Sequence, residues 1–384
     1  MTKLPHRGAG TRYEGVAREI LTEALREQRA EVVTESFQTP RTYVSVVYWL
    51  IGGLLLGLIG LPYLKTFSIL ITWASTVAAW LYFNWRFSPV VLLPPLVQSH
   101  NVIGRWRDSG EGAEPAMKVI LMAHYDTAPV SLLYSSGQVR GFRSSLIVSL
   151  LLMLLASGLV VVNLFDLENE YLLSIRYALA GYFLLQALLG TLGYWLNGYT
   201  NGASDNATGV AAALATAERL RQCGLPGLDL EVVLTGAEEV GMIGARQYLE
   251  SHIQEWPRHR TFVINFDTLG NGKLNLIKKT GTVESIRYDN DLFRQAQKIA
   301  GERNFRGQVS IGAWHTADFD TVWFVREGIP AITLSALDEH GQMPHIHRKE
   351  DQLLNTNLSA LPLAVDFATQ TVVRQYQAGS VVRA

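Results

Sequence analysis

Four stretches of this chain are too long and too apolar to be ordinary surface elements, and they limit what it can fold into more than any other feature. Residues 43–64 run for 22 residues without a charge, and a second apolar run covers 67–82. Residues 146–165 are mostly Leu, Val, Ser and Ala, with Asn163 the one strongly polar side chain, and 171–196 are similar apart from Arg176. A helix crosses a bilayer with about 20 apolar residues, and helices apolar on every side are rare in soluble folds. The chain is therefore expected to carry four transmembrane helices in two hairpins. Tyr63, Tyr82, Trp85, Tyr171, Tyr194 and Trp195 lie near the ends of the runs, where an interfacial aromatic belt would sit. Arg176 is expected to snorkel to the headgroups. Pro62 and Lys65 place the turn of the first hairpin. The first apolar run starts too late and is too long for a secretory signal peptide.

Basic residues set the expected orientation. Lys3, Arg7, Arg12, Arg18, Arg26, Arg29 and Arg41 precede the first span. With four spans, Arg86, Arg105, Arg107, Arg140 and Arg143 fall on the same side. The other side has Lys65, Arg176 and the acidic loop Asp166-Leu167-Glu168-Asn169-Glu170. The reading is a multi-pass membrane protein, in contact with a lipid bilayer, whose termini and polar domain face the cytoplasm. The charged fraction, 17%, is low against the roughly 25% of a soluble chain. A net charge of -1 gives no footprint for nucleic acid. The single cysteine, Cys223, excludes an intrachain disulfide and a multi-cysteine zinc site.

Outside the apolar runs the pattern changes. Residues 1–42 form a polar N-terminal helix region, with Arg12 to Glu35 reading as an exposed helix that pairs Glu14 with Arg18. The first hairpin takes 43–87. Pro89, Pro94 and Pro95 then mark a linker. Strand patterns at Val119–Met122, Leu230–Leu234, Phe262–Phe266 and Ala331–Leu334 alternate with helical ones at Ala211–Leu220, Gly244–Leu249, Asp291–Gly301 and Leu358–Gln375. This alternation predicts an α/β domain, a mixed, largely parallel sheet flanked by helices. The domain spans 88–143 and 197–384, with the second hairpin, 144–196, inserted into it.

Five motifs carry metal-type side chains where strands or loops end. They are His124-Tyr125-Asp126, Ser204-Asp205-Asn206-Ala207-Thr208-Gly209, Gly236-Ala237-Glu238-Glu239-Val240-Gly241, Asp267 after Phe262–Phe266, and His345-Ile346-His347 with Asp351 beyond. Each alone has an ordinary explanation as a polar loop or helix cap. Glu238 and Glu239 are the hardest to explain so. Two adjacent carboxylates follow a buried strand, where unpaired charge is costly without a compensating cation. At the edge of an open α/β sheet, successive strand ends are where ligands gather.

In this order the five motifs resemble the co-catalytic zinc aminopeptidases (metallopeptidase family 28, zinc-exopeptidase fold). The resemblance runs from about Val119 to Gln375 and is interrupted by the second hairpin. The Ser204–Gly209 and Gly236–Gly241 segments are its most specific pieces, and Gly328-Ile329-Pro330-Ala331 resembles the family's late strand. The resemblance implies two Zn2+ ions, one on His124, Asp205 and Asp267 and one on Asp205, Glu239 and His347, with Asp205 bridging. It implies Glu238 as general base and Asp126 as the group that orients His124. His345 and His347 both compete for the last ligand position; His347 has the family's spacing to Asp351. His315 stands as a loop or substrate-side residue. The implied activity is removal of N-terminal residues from a peptide substrate, through a hydroxide shared by the two metals. Alternatives are a dipeptidase or carboxypeptidase on the same site, a single-zinc aminoacyl cyclase, and a catalytically inactive scaffold or receptor. The inserted hairpin departs from the soluble pattern and points to hydrophobic or membrane-proximal peptides.

Overall fold

The computed structural model describes residues 1–108, 115–165 and 169–381. Within them the elements run α1 (Arg12–Glu27), β1 (Glu31–Pro40), α2 (Tyr43–Gly60), α3 (Lys65–Phe83), β2 (Leu96–Trp106), β3 (Met117–His124), α4 (Phe142–Val162) and α5 (Glu170–Asn197). There follow α6 (Thr208–Gln222), β4 (Leu228–Thr235), α7 (Ile243–His252), β5 (Thr261–Phe266), β6 (Lys273–Thr280), β7 (Ile286–Arg287) and α8 (Asp291–Ala300). The chain ends with β8 (Val309–Ala313), α9 (Thr321–Arg326), β9 (Ala331–Leu337) and α10 (Ala360–Val381).

The strands form one mixed sheet in the order β1-β2-β4-β3-β5-β9-β6-β7, with β8 also on β6. Its centre, β4-β3-β5-β9, is parallel, and antiparallel strands flank it. The centre is covered on both faces, so β3 reads as an unbroken apolar run. Val119, Leu121 and Ala123 face a core shared with α1, α6, α8 and α10. Ile120 and Met122, between them, face α7 and α9.

The N-terminal region differs from its sequence reading. The helix stops at Glu27, the chain turns at Arg29 (φ 60°), and Glu31–Pro40 pairs antiparallel with β2 along its length. Nor is the helix merely solvated, since Ala17, Leu21 and Leu25 enter the main core. The prolines after Arg86 lead through a single turn at Pro89–Leu92 directly into β2. Residues 166–168 of the acidic loop lie outside the described residues.

The helices α2, α3, α4 and α5 are long and apolar enough to cross a membrane. Here α2 packs between α3 and α5, and α3 packs on α4. Gly53 and Gly57 make the α2–α3 contact close. A Cβ on Gly57 would lie 2.8 Å from the Ser68 carbonyl oxygen of α3, the small-residue packing typical of helices in lipid. Thr76 and Ser157 hydroxyls join α3 to α4 at 2.8 Å. The outer faces stay apolar, with Leu56, Ile59, Leu70, Leu151, Leu155 and Leu185 all exposed. Arg176 is buried, its guanidinium 5.4 Å from the Tyr177 ring centre, rather than reaching outward.

Both hairpins are tied to the α/β domain. The Tyr82 hydroxyl at the end of α3 donates to the Val240 carbonyl at 2.9 Å. Arg86 meets Glu284 through two nitrogens, at 3.2 and 3.0 Å, and Arg326 joins the same carboxylate at 3.1 Å. At the foot of α4, Arg143 donates to the Thr282 carbonyl at 2.8 Å.

Candidate metal centre

Three parallel strands bring the first residues together by register. His124 ends β3 opposite Thr235, the last residue of β4. Met122 is paired with Asn265, so two residues further on His124 and Asp267 stand at the same height. Beyond β4 the chain turns sharply through Ala237 (φ 54°) and presents Glu238 and Glu239 over the sheet edge. Asp126 fixes that turn: its Oδ1 accepts from the Glu238 backbone N–H at 3.0 Å and its Oδ2 from that of Glu239 at 3.2 Å. Asp126 also lies 3.6 Å from His124 Nδ1, longer than a hydrogen bond.

Asp205 arrives from the side, in the turn before α6, and its peptide bond to Asn206 is cis. Each polar residue of that motif has a separate job. The Asn206 amide donates to the Phe266 carbonyl at 2.9 Å and accepts from the Gly209 and Thr268 N–H groups at 2.9 and 3.1 Å. This stitches the Asp205 turn to the end of β5. A side chain at Gly209 would collide with Asn206 and the Phe266 carbonyl. The Thr208 hydroxyl donates to Ser204 and accepts from the Leu269 N–H.

The result is one compact cluster. His124 Nε2 lies 3.2 Å from Asp205 Oδ1, 3.7 Å from Asp267 Oδ2 and 4.0 Å from Glu238 Oε2. His347 Nε2 lies 2.9 Å from Glu239 Oε2 and 3.6 Å from Asp205 Oδ2. Asp205 therefore turns one oxygen to each histidine. Ligand atoms of His124, Asp205 and Glu239 lie within 4.8 Å of one another, a possible metal site. His124, Asp205, Glu239, Asp267 and His347, the ligand set implied by the resemblance, meet here, with Glu238 beside them. His345 and His315 do not line the cavity above the cluster, although their neighbours Ile346, Trp314 and Thr316 do.

Two residues at the site had escaped the sequence reading as structural parts of it. Asp351 is buried, and its carboxylate accepts from the Ser204 and Asp205 N–H groups at 2.7 and 3.1 Å, holding the bridging residue in place. Arg7 is fully buried beneath the same loops. It donates to the carbonyls of Tyr125, Asn201 and Gly202 at 2.6, 2.7 and 2.8 Å. Burial draws its pKa down to about 10, against the pull of Asp351, Asp126, Asp205 and Glu239. Arg7→Met would remove three charge-assisted hydrogen bonds and leave the buried Tyr125 carbonyl without its donor. The expected result is a stability loss of at least about 2–3 kcal/mol, read by denaturant unfolding of the detergent-solubilised chain; an unchanged midpoint would contradict it.

The electrostatics call for a cation. Burial, with the neighbouring carboxylates, pushes Glu238 and Glu239 well above the ordinary carboxylate range, although His124 opposes the shift at both. Burial would do the same to Asp205, but the His124 hydrogen bond and charge hold it below. Burial lowers His124, yet Glu238 and Asp267 lift it far above an ordinary imidazole. His347, by contrast, is lowered by burial and so kept neutral, the form that ligates metal. Glu239 Oε1 is buried with no hydrogen-bond partner. This many carboxylates in so small a buried volume stay ionised only around compensating positive charge; otherwise some must take up protons. The donor set, carboxylates and imidazoles without thiolate, fits zinc.

A mixed α/β sheet with carboxylates and histidines at the C-terminal ends of its parallel strands is the architecture of a zinc exopeptidase. The chain belongs to peptidase family M28, whose model matches residues 181–372. That segment contains Asp205, Glu238, Glu239, Asp267 and His347, while His124 joins them through the fold. A comparison with curated proteins gives no match. Among solved structures, the fold is similar to a zinc aminopeptidase from Bacillus subtilis (14% identity, TM-score 0.55, 97% of this chain and 91% of that one). It is similar also to a Zn-dependent exopeptidase from Parabacteroides distasonis (13% identity, TM-score 0.53, 98% and 93%). A third likeness is to a glutaminyl cyclase from Bacteroides thetaiotaomicron (15% identity, TM-score 0.56, 96% and 92%).

Proposed function

We propose that this chain is a membrane-embedded exopeptidase with two zinc ions that removes N-terminal residues from peptides. One zinc would be held by His124, Asp205 and Asp267, and the other by Asp205, Glu239 and His347. The observation that carries this reading is Asp205, whose two oxygens face different histidines at 3.2 and 3.6 Å. Bound zinc would supply Lewis acidity, polarising the scissile carbonyl and making water acidic enough to react near neutral pH. The protein does the rest. Glu238 takes the proton of the attacking water and returns it to the leaving amine. Asp126 and Asp351 hold the Glu238–Glu239 and Ser204–Asp205 backbones so that the ligands need not reorganise. In this reading the domain lies against the bilayer, supported by four helices long and apolar enough to cross it, and the basic residues around them support a cytoplasmic catalytic face.

The direct test is hydrolysis by the purified chain. Free amino acid is expected from the N-terminus of unblocked peptides. Activity is expected to disappear with a chelator, to return with zinc, and to be absent on N-acetylated peptides. Release from the C-terminus instead would replace this reading with a carboxypeptidase. The likeness to a glutaminyl cyclase gives the second reading a distinct product: cyclised N-terminal glutamine with no amino acid released.

Asp351 offers a separate check. Asp351→Asn keeps its size but loses the charge and one of the two acceptors that hold Ser204 and Asp205. Zinc affinity is expected to fall by about 10–100-fold, measured by competition with a chromophoric chelator. Unchanged affinity would show that the Asp205 turn holds itself.

A further inference from the structure

The carboxylate cluster forms the end of a cavity of about 600 Å³ walled in part by loops of the α/β domain, among them Tyr134, Trp314 and Phe319, and in part by the apolar helices. Val47 and Leu50 come from α2, Leu146 and Leu150 from α4, and Phe183 and Ala187 from α5. The lining positions have a consistent height. On α2 they run from Tyr43 to Ile51 and on α4 from Phe142 to Met153, the first turns of each helix. On α3 they are at the end, Ala79 to Phe83, and on α5 they lie in the last half. At 1.5 Å per residue the cavity extends about 12–17 Å up the bundle. That is about half of a 30 Å hydrocarbon core. Outside the cluster, Asp318 is the one acidic or basic side chain among the described lining residues. α4 and α5 are consecutive yet make few close approaches. Between them stand the Tyr182 hydroxyl, 2.8 Å from Ser149 Oγ, and Gln186, which donates to it at 2.9 Å. Ser149 and Gln186 both line the cavity. Polar side chains in such a bundle are costly and mark function by default.

Building on the proposed peptidase activity, we propose that this chamber is the substrate site and takes an apolar peptide segment from the bilayer. A soluble, polar peptide would have to strip its hydration shell to fill it. An apolar chain already in lipid loses nothing comparable, and its scissile amide can rest on the cluster at the chamber's end. Ser149 and Gln186, which line the chamber, could exchange their bonds to Tyr182 for the amides of an extended backbone that has left water.

Two measurements on the full chain in bicelles test this. The first is photocrosslinking to the wild type of a peptide of about six leucines, with a free N-terminus and one diazirine-bearing residue. Labelling is expected on the inward faces of α2, α4 and α5. Labelling confined to the polar domain surface would overturn the proposal, and this readout stands even if no peptide is hydrolysed. The second is the ratio of kcat/KM for that leucine peptide to kcat/KM for a short polar peptide. Leu150→Trp and Ala187→Trp, which narrow the chamber, are expected to lower the ratio by about tenfold or more. Leu151→Trp, on the outer face of α4 and 59% exposed, is expected to leave it unchanged. A wild type with no preference for the apolar peptide, or a ratio unmoved by the inward tryptophans, would overturn the chamber while leaving the peptidase reading intact.

Discussion

Glu238→Gln is expected to lower kcat for peptide hydrolysis by about 10²–10⁴-fold while leaving bound zinc unchanged. The two adjacent glutamates are treated differently by the fold. Glu239 is paired with His347 at 2.9 Å and faces Asp205, inside the proposed second metal position. Glu238 is 4.0 Å from the nearest histidine nitrogen, and its side chain keeps 12% exposure, against 6% for Glu239. It is the carboxylate left open to move a proton between water and the leaving amine. Glutamine preserves the shape and removes the base. Kinetics on an unblocked peptide, with metal analysis of the same preparation, read both effects. Loss of zinc together with activity would make Glu238 a ligand, and near-normal activity would remove the base from the mechanism.

Asp205→Asn is expected to empty both positions at once, with zinc content falling to background and hydrolysis lost. The reason is geometric. Asp205 alone among the carboxylates directs an oxygen to each histidine, so its charge serves both sites. Asp267 approaches only His124. Asp267→Asn is therefore expected to leave zinc on the Asp205–Glu239–His347 side. Elemental analysis of the two variants, purified alike, separates these outcomes. Asp205→Asn retaining one full equivalent would confine Asp205 to a single site.

The parts of this molecule legible in its sequence were those with strong local signals. The four apolar runs became helices, and the buried parallel strands β3, β4, β5 and β9 were readable because covering on both faces leaves an apolar run. The cluster was legible because His124, Asp267 and the two glutamates follow strand ends and Asp205 precedes a helix, and parallel neighbours put such ends on one edge; His347, in a turn beyond β9, was legible only from its spacing to Asp351. β1 was not legible. Its residues alternate in burial and carry glutamates at positions 31 and 35, a spacing that also suits a helix. Its pairing with β2 is decided by residues about sixty positions away. Arg7 gave no signal, since a lone arginine in a polar N-terminal stretch looks solvated, and only the folded loops give it three carbonyls. Asp351 was noticed for its spacing, while its bonds to Ser204 and Asp205 belong to tertiary structure.

The most direct test of the account is X-ray absorption at the zinc edge of the metal-loaded wild type. Only nitrogen and oxygen neighbours are expected, at about 2.0–2.2 Å, with a zinc–zinc vector at about 3.5–4 Å. An isolated zinc with no metal neighbour in a fully loaded sample would contradict it.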